Sequence, residues 1–296
     1  MLSGFLNRPV LIVIVAVMLG SCVDALVKGI APQAGLAHLL AWRFAFASMI
    51  SVPLFLRSSA PRPNAEAIRF HTVRGIVQLA AAFSFFYALT QLGLAEATIY
   101  GFTAALMVPV LARLMLNEAM SRLAVIATLI GFAGAVVTVG TGDSSSVVDG
   151  NRTLGLIAVF AAAFLYALVL ILLRMRARTE SALTIVMFTN VVPAIFLAPV
   201  LFGAIGWPNW SDLPSFALLG FLGFGVWYLM TLGYARAPAQ RLAPLEYTAI
   251  VWSSLLGALF FAEIPGWNVY LGGLVIIGAC LMVAYEDHRS SQPGQH

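Results

Sequence analysis

The chain has 296 residues, of which 61% are hydrophobic and only 9% charged, with a mean hydropathy of +0.96 and a formal net charge of +4. Soluble domains carry about a quarter charged residues, so a water-soluble globule is excluded and lipid is the expected solvent. The positive excess is spread along short loops, which sets aside a nucleic-acid surface. The isolated thiols Cys22 and Cys280 offer neither a disulfide framework nor metal spacing.

In lipid every backbone polar group must be satisfied internally, which leaves helices or closed barrels. The apolar runs are about 20 residues long and do not alternate with period two, which selects helices. In chain order they predict ten spans, at 10–30, 36–56, 72–92, 96–116, 122–140, 154–174, 182–203, 213–233, 241–261 and 267–285. The first resembles a lipoprotein signal, with Arg8 before an apolar run that reaches Leu19-Gly20-Ser21-Cys22. The run continues through Val27 and further spans follow, so it is expected to be a transmembrane helix.

Thirteen of the sixteen Lys and Arg residues fall in one set of loops and both termini. Arg152 and Lys28 lie on the other side, and Arg43 lies inside the second span. This asymmetry predicts cytoplasmic termini. The polar stretch 143–153 divides the chain into a first five-helix repeat, 1–142, and a second, 154–286, followed by a cytoplasmic tail, 287–296. Five is odd, so the second repeat enters the membrane from the opposite side. The fourth and ninth spans echo each other: Ala95–Glu118 and Gln240–Glu263 align at an offset of 145 (263 − 118). Asp24-Ala-Leu-Val in the first span likewise sits over Tyr166-Ala-Leu-Val in the sixth. Inverted repeats build many transporters that work by alternating access. The fold class is therefore an all-α integral membrane protein of ten helices in two inverted five-helix repeats. The fifth and tenth spans are both glycine-rich, which suits close packing of helices.

A charge at mid-membrane costs about 2.5–3.5 kcal/mol on insertion scales, so residues kept there are functional candidates. Asp24 and Arg43 are expected at similar depth, with Lys28 one turn from Asp24 on the same face. They form either a site for the charged groups of an amino acid or a structural ion pair. Glu246 and Asp24 are the candidates for proton coupling; Glu246 could equally pair with Arg241 or Arg236. Tyr87, Tyr100, Tyr166, Trp227, Tyr228, Tyr247 and Trp252 are candidates for an aromatic cavity wall. Gln78, Gln91 and Asn190 are intramembrane amides that bind solute or a neighbouring helix. Pro109, near the middle of the fourth span, is the hinge candidate. Glu118 and Glu263 end their spans and are expected to hold the next helix start or a basic neighbour.

Two five-helix halves, each closing its fourth helix with a glutamate (Leu111–Glu118 and Leu256–Glu263) before a glycine-spaced helix, resemble the drug/metabolite transporter superfamily, EamA type. Arg43-Phe44 in the second span, Tyr87-Ala-Leu in the third and Ala97 also fit. Met187-Phe188 stands where the seventh span would repeat the Arg-Phe pair. The resemblance implies a metabolite carrier of the inner membrane, an exporter of amino acids, and within the superfamily it is similar to the aromatic amino acid exporters of the YddG type. A nucleotide-sugar or S-adenosylmethionine-like carrier is the second transport reading. An intramembrane enzyme or lipid flippase is the reading from another class. No phosphate-binding loop, metal spacing or catalytic triad is visible, so no enzyme, cofactor or metal is expected. The expected partners are a small-molecule substrate and the bilayer, with monomer and homodimer both open.

Overall fold

The computed structural model describes residues 9–116, 125–126, 129–131, 133–134, 151–176, 179–236 and 245–290. The described chain is helical. Its helices are α1 (Pro9–Ala34), α2 (Leu36–Arg57), α3 (Ala65–Gln91), α4 (Leu94–Gly101), α5 (Thr103–Leu116), α6 (Arg152–Arg176), α7 (Ala182–Phe196), α8 (Ala198–Leu201), α9 (Leu213–Arg236), α10 (Ala249–Phe261) and α11 (Trp267–Ser290). Six helical stretches are long and apolar enough to cross a membrane: Leu11–Ala34, Leu36–Arg57, Ala65–Gln91, Leu94–Met115, Arg152–Leu173 and Trp210–Gly233. Three shorter apolar helices accompany them.

Local signals explain the edges. The third span starts at Ala65, earlier than the apolar window, because Asn64 caps it: its Oδ1 accepts from the Ala67 N–H at 2.8 Å. Ser181 caps α7 in the same way through Thr184 N–H. The seventh span pauses at Leu197 and resumes as the short α8. Glu118, Arg122 and most of the expected fifth span lie outside the described residues. Gly134 of that span is helical, and a methyl there would meet the Val275 side chain of α11, so the glycine permits close approach to the tenth span.

The two halves of the sequence interleave. α3 packs along α6 and α7, α9 along α1 and α2, α2 along α7, and α10 against α1 and α4. Most first-half helices therefore take their main neighbours from the second half. Their shared core runs through Leu39, Phe44, Leu89, Leu94, Val159 and Phe216.

The fourth and ninth spans are both interrupted. α4 and α5 are separated at Phe102, whose N–H is shared between Thr98 O and Ile99 O. In the ninth span a turn at Tyr247 and Thr248 precedes Ala249. These positions are again 145 apart (247 − 102). Thr103 Oγ1 donates to Tyr100 O and Thr248 Oγ1 to Leu245 O, both at 2.7 Å. Hydroxyls bonded back to the preceding turn bend helices. The rings of Phe102 and Tyr247 meet edge-on, with centroids 5.1 Å apart. The backbone stays helical through Pro109, so the interruption lies seven residues before it (109 − 102).

α10 ends with Ala262 in the left-handed region, at φ 53. Its N–H and that of Glu263 both reach Gly257 O, which turns Glu263 back over the bundle. The left-handed conformation costs an L-residue about 1–2 kcal/mol and glycine almost nothing. Ala262→Gly is therefore expected to raise the melting temperature of the purified protein, by the equivalent of about 1 kcal/mol, and Ala262→Val to lower it.

Candidate functional site

Between the two halves lies a cavity of about 320 Å³, lined from α1, α2, α3, α4, α5, α6, α9 and the start of the ninth span. The space exists because the helices turn small side chains toward one another: Ala16, Gly20, Ala81, Ala105, Ala162 and Gly223 among others. Interiors are otherwise close-packed. Phe85, Phe86, Phe102, Tyr166 and Trp227 supply the aromatic part of the wall.

Arg43 is the dominant polar feature. It is only 6% exposed. Its guanidinium lies over the rings of Phe44 and Phe86, at 4.7 and 5.2 Å from their centroids. Across from it stands Gly223, where a methyl would come within 3.0 Å of Nη2. The missing side chain gives the guanidinium its room. Nε and Nη1 are buried and have no hydrogen-bond partner among the described residues. Asp24 lines the same cavity and interacts electrostatically with Arg43. The two make no ion pair among those found in the described residues. Gln78 adds a buried Oε1 without a partner among the described residues.

Asp24, Arg43, Tyr166, Trp227 and Glu246 thus come together around one cavity. The other candidates stand elsewhere. Tyr100 is fully buried and packs on Phe160. Tyr228 stacks on Phe224. Tyr247 touches Phe102, and Trp252 packs beside Val13 and Val17. Tyr87 is half-buried outside the cavity wall. Asn190 bonds back to Val186 O, and Gln91 accepts from the Asn151 N–H.

Lys28 is not turned toward Asp24. It pairs with Glu263 at 2.9 Å and donates to the carbonyls of Leu89, at 3.0 Å, and Leu92. The other oxygen of Glu263 accepts from Leu94 N–H at 2.8 Å. The ammonium therefore caps the end of α3 while the carboxylate caps the start of α4, each where the helix dipole favours it. Nearby, Arg152 at the start of α6 pairs with the buried Glu96 of α4 at 3.0 Å.

A second buried network escaped the sequence reading. His71 is fully buried, stacks on Phe188 with ring centroids 4.8 Å apart, and bonds to Glu180. Arg74 Nε donates to His71 Nδ1, and its Nη2 donates to Ile185 O and Thr189 Oγ1. Both lie near a helix end in sequence, where charge reads as an interfacial loop. Only tertiary packing of α3 on α7 reveals them as interior.

A helical chain with membrane-length apolar segments around a partly polar internal cavity is the architecture of a membrane carrier. The EamA-like transporter family matches the chain twice, over residues 7–140 and 153–285, and the chain belongs to that family. The riboflavin transporter of Brucella anthropi is 26% identical over 257 residues, covering 85% of this chain and 88% of that protein. The S-adenosylmethionine uptake transporter of Rickettsia felis is 24% identical over 249 residues, covering 84% and 83%. The pseudopaline exporter CntI of Pseudomonas aeruginosa is 24% identical over 289 residues, covering 96% and 98%. A solved crystal structure shares the fold with a TM-score of 0.65 at 22% identity, over 97% of this chain and 99% of the other.

Removing one partner of a buried ion pair typically costs about 3–5 kcal/mol, because the other charge is stranded. Lys28→Met is expected to destabilise the purified protein by about that amount. Lys28→Met combined with Glu263→Gln should cost less than the sum of the single changes, as read from a double-mutant cycle of denaturation in detergent.

Proposed function

We propose that the chain is a secondary transporter that moves small zwitterionic metabolites, foremost amino acids, out of the cell across the inner membrane. The observation that carries this reading is the pair of charges in the cavity. Among the described residues Arg43 holds buried donors without a protein partner, and Asp24 faces the same space without being ion-paired to it. An unpaired buried charge costs several kcal/mol unless a ligand completes it. An α-carboxylate offers acceptors to Arg43, and an α-ammonium offers donors to Asp24. The aromatic wall suits an apolar or aromatic side chain, which favours the aromatic amino acid subgroup within this reading.

The proposed cycle is alternating access by ten spans in two inverted five-helix repeats, with both termini cytoplasmic and the repeats divided at 143–153. The paired interruptions at Phe102 and Tyr247 support it, since they give the fourth and ninth spans matching breaks, one on the cavity wall and the other in ring contact with it. Pro109 is a further proposed hinge in the fourth span. Asp24 and Glu246 are the two carboxylates on the cavity wall, which makes them the candidates for proton coupling.

A second reading is an S-adenosylmethionine-like solute. Relatives bear that name, and such a molecule carries the same α-amino and α-carboxylate groups for Asp24 and Arg43.

Efflux and counterflow of labelled amino acids in proteoliposomes, with and without a pH gradient, test the proposal. Saturable flux is expected, and Asp24→Asn and Arg43→Gln are each expected to lower kcat/KM by about tenfold or more, equivalent to about 1.4 kcal/mol. Absence of saturable flux for every amino acid would remove the leading reading, and unchanged kinetics in both variants would return the two residues to a structural role.

A further inference from the structure

One face of α3 runs along the cavity wall as Gln78, Ala81, Ala82, Phe85 and Phe86, the spacing of a single helical stripe. Phe86, at one end, carries the Arg43 guanidinium over its ring at 5.2 Å. Gln78, at the other, is only 5% exposed, and its Oε1 is buried without a hydrogen-bond partner among the described residues. The two ends are eight residues apart (86 − 78), about 12 Å along the helix axis. Between them only Phe85 is large. α6 runs antiparallel along α3, with Gly155 beside Gln91 and Leu92, so Ala162 and Ala163 of the cavity wall stand at the level of Ala82 and Phe85. The result is a slot with alanine methyls on two sides, an arginine at one end and an amide at the other. A buried amide oxygen left unpaired destabilises a protein by itself. The fold does not relieve it: Arg74, one turn earlier on α3, keeps Nη1 without a partner among the described residues, and the two are not bonded to each other.

Resting on the reading of this cavity as the transport site, we propose that Gln78 sets its specificity, selecting amino acids whose side chain ends in a hydrogen-bond donor. The α-carboxylate takes Arg43 at the Phe86 end, a flat ring lies in the alanine slot, and the tip of the side chain donates to Gln78 Oε1. A phenol hydroxyl and an indole N–H are tips of this kind. In tyrosine the carboxylate and the hydroxyl lie about 7 Å apart, and a hydrogen bond of about 3 Å at each end extends the reach to about 13 Å, close to the length of the stripe. Phenylalanine fills the slot as well but leaves the amide unpaired. Sites built around the O–H or N–H of a solute discriminate strongly against analogues that lack it, because the buried partner is then stranded.

The test uses matched solutes that differ at the tip: tyrosine against phenylalanine, and tryptophan against 3-benzothienylalanine. The first pair removes a hydroxyl, which donates and accepts; the second replaces an indole N–H, which only donates, with sulfur. Each solute is scored as a competitor of labelled tryptophan counterflow in proteoliposomes of the full chain, for wild type, Gln78→Met and Gln78→Glu. Wild type is expected to be half-inhibited at a concentration about tenfold or more lower for tyrosine and tryptophan than for their partners. Gln78→Met should bring each pair within about twofold, while phenylalanine and 3-benzothienylalanine stay within about twofold of their wild-type values. Gln78→Glu keeps an acceptor at the same reach and should retain part of the preference. Without solute, Gln78→Met should raise the melting temperature of the purified protein, since it removes an unpaired buried amide. Equal values within each wild-type pair, a Gln78→Met change that falls equally on all four solutes, or a lower melting temperature of that variant without solute would overturn the assignment and leave amino acid transport standing. If reconstitution gives no flux, solute-induced shifts in melting temperature are compared within the same pairs and read in the same way. Neither flux nor a melting shift with any of the four solutes would bring down the transport-site reading itself, and the role of Gln78 with it.

Discussion

A single ammonium group holds the corner on which the two halves meet. α3 and α4 are joined by only Leu92 and Gly93, so the last carbonyls of one helix and the first N–H groups of the next open at the same point. Helix ends leave such groups without internal partners, and lipid offers no water to replace them. Lys28 satisfies the carbonyls, Glu263 satisfies Leu94 N–H, and their attraction for each other closes the joint. The carboxylate comes from the far end of α10, where Ala262 bends the chain back to deliver it. A demand set by backbone chemistry in the first half is thus met by a side chain of the second. Arg152 and Glu96 repeat the arrangement one turn away, tying the start of α6 to the same end of α4.

That joint makes Arg43 stand out by contrast. Lys28 spends its three donors on three acceptors, and Arg74 spends two nitrogens on Ile185, Thr189 and His71. Lys28 is fully satisfied by the fold, and Arg74 keeps one nitrogen, Nη1, without a partner among the described residues. Arg43 is as deeply buried, yet its partners are the faces of Phe44 and Phe86, and two of its nitrogens have none. Cation–π contact stabilises a guanidinium by about 0.5–2 kcal/mol, without using its N–H donors. The arrangement keeps the charge in place and leaves its hydrogen-bonding capacity open toward the cavity.

Much of this was legible in the residue types. Asp24, Arg43 and Glu246 are costly in an apolar span, which marks them as candidates for function or for structural pairing, and all three line the cavity. Tyr166, Trp227 and Trp252 are the aromatics nearest mid-span in sequence, and the first two line the cavity while Trp252 packs beside Val13 and Val17. Partner choice was not legible. Lys28 sits one turn from Asp24, and local spacing favours that pair; the structure instead joins it to Glu263, 235 positions away (263 − 28). Tyr100 and Tyr228 belong to the same aromatic set in sequence, yet Tyr100 packs on Phe160 and Tyr228 on Phe224. Which face of a helix meets a cavity depends on packing partners that a single sequence does not identify. His71 and Arg74 were hidden for the same reason, since only the approach of α7 makes them interior. Proline marks the fourth span as the one to bend, while the interruption lies at Phe102, just after Gly101, with Thr103 bonded back to the preceding turn.

The repeat explains where the chemistry concentrates. Asp24-Ala-Leu-Val and Tyr166-Ala-Leu-Val are matching segments, and Asp24 and Tyr166 both line the cavity. Phe102 and Tyr247 are matching positions, and their rings meet. Equivalent places in the two halves therefore converge on the same space, but with different chemistry: a carboxylate in one half is a phenol in the other. Arg43 has no basic counterpart at the matching Arg-Phe position, where Met187 and Phe188 stand. A scaffold built from two like halves can expose its two ends in turn. A solute with distinct charged groups needs a site that distinguishes them. Substituting different side chains at equivalent positions meets both requirements, because the backbone pauses stay paired while the cavity wall takes a carboxylate from one half and a phenol from the other.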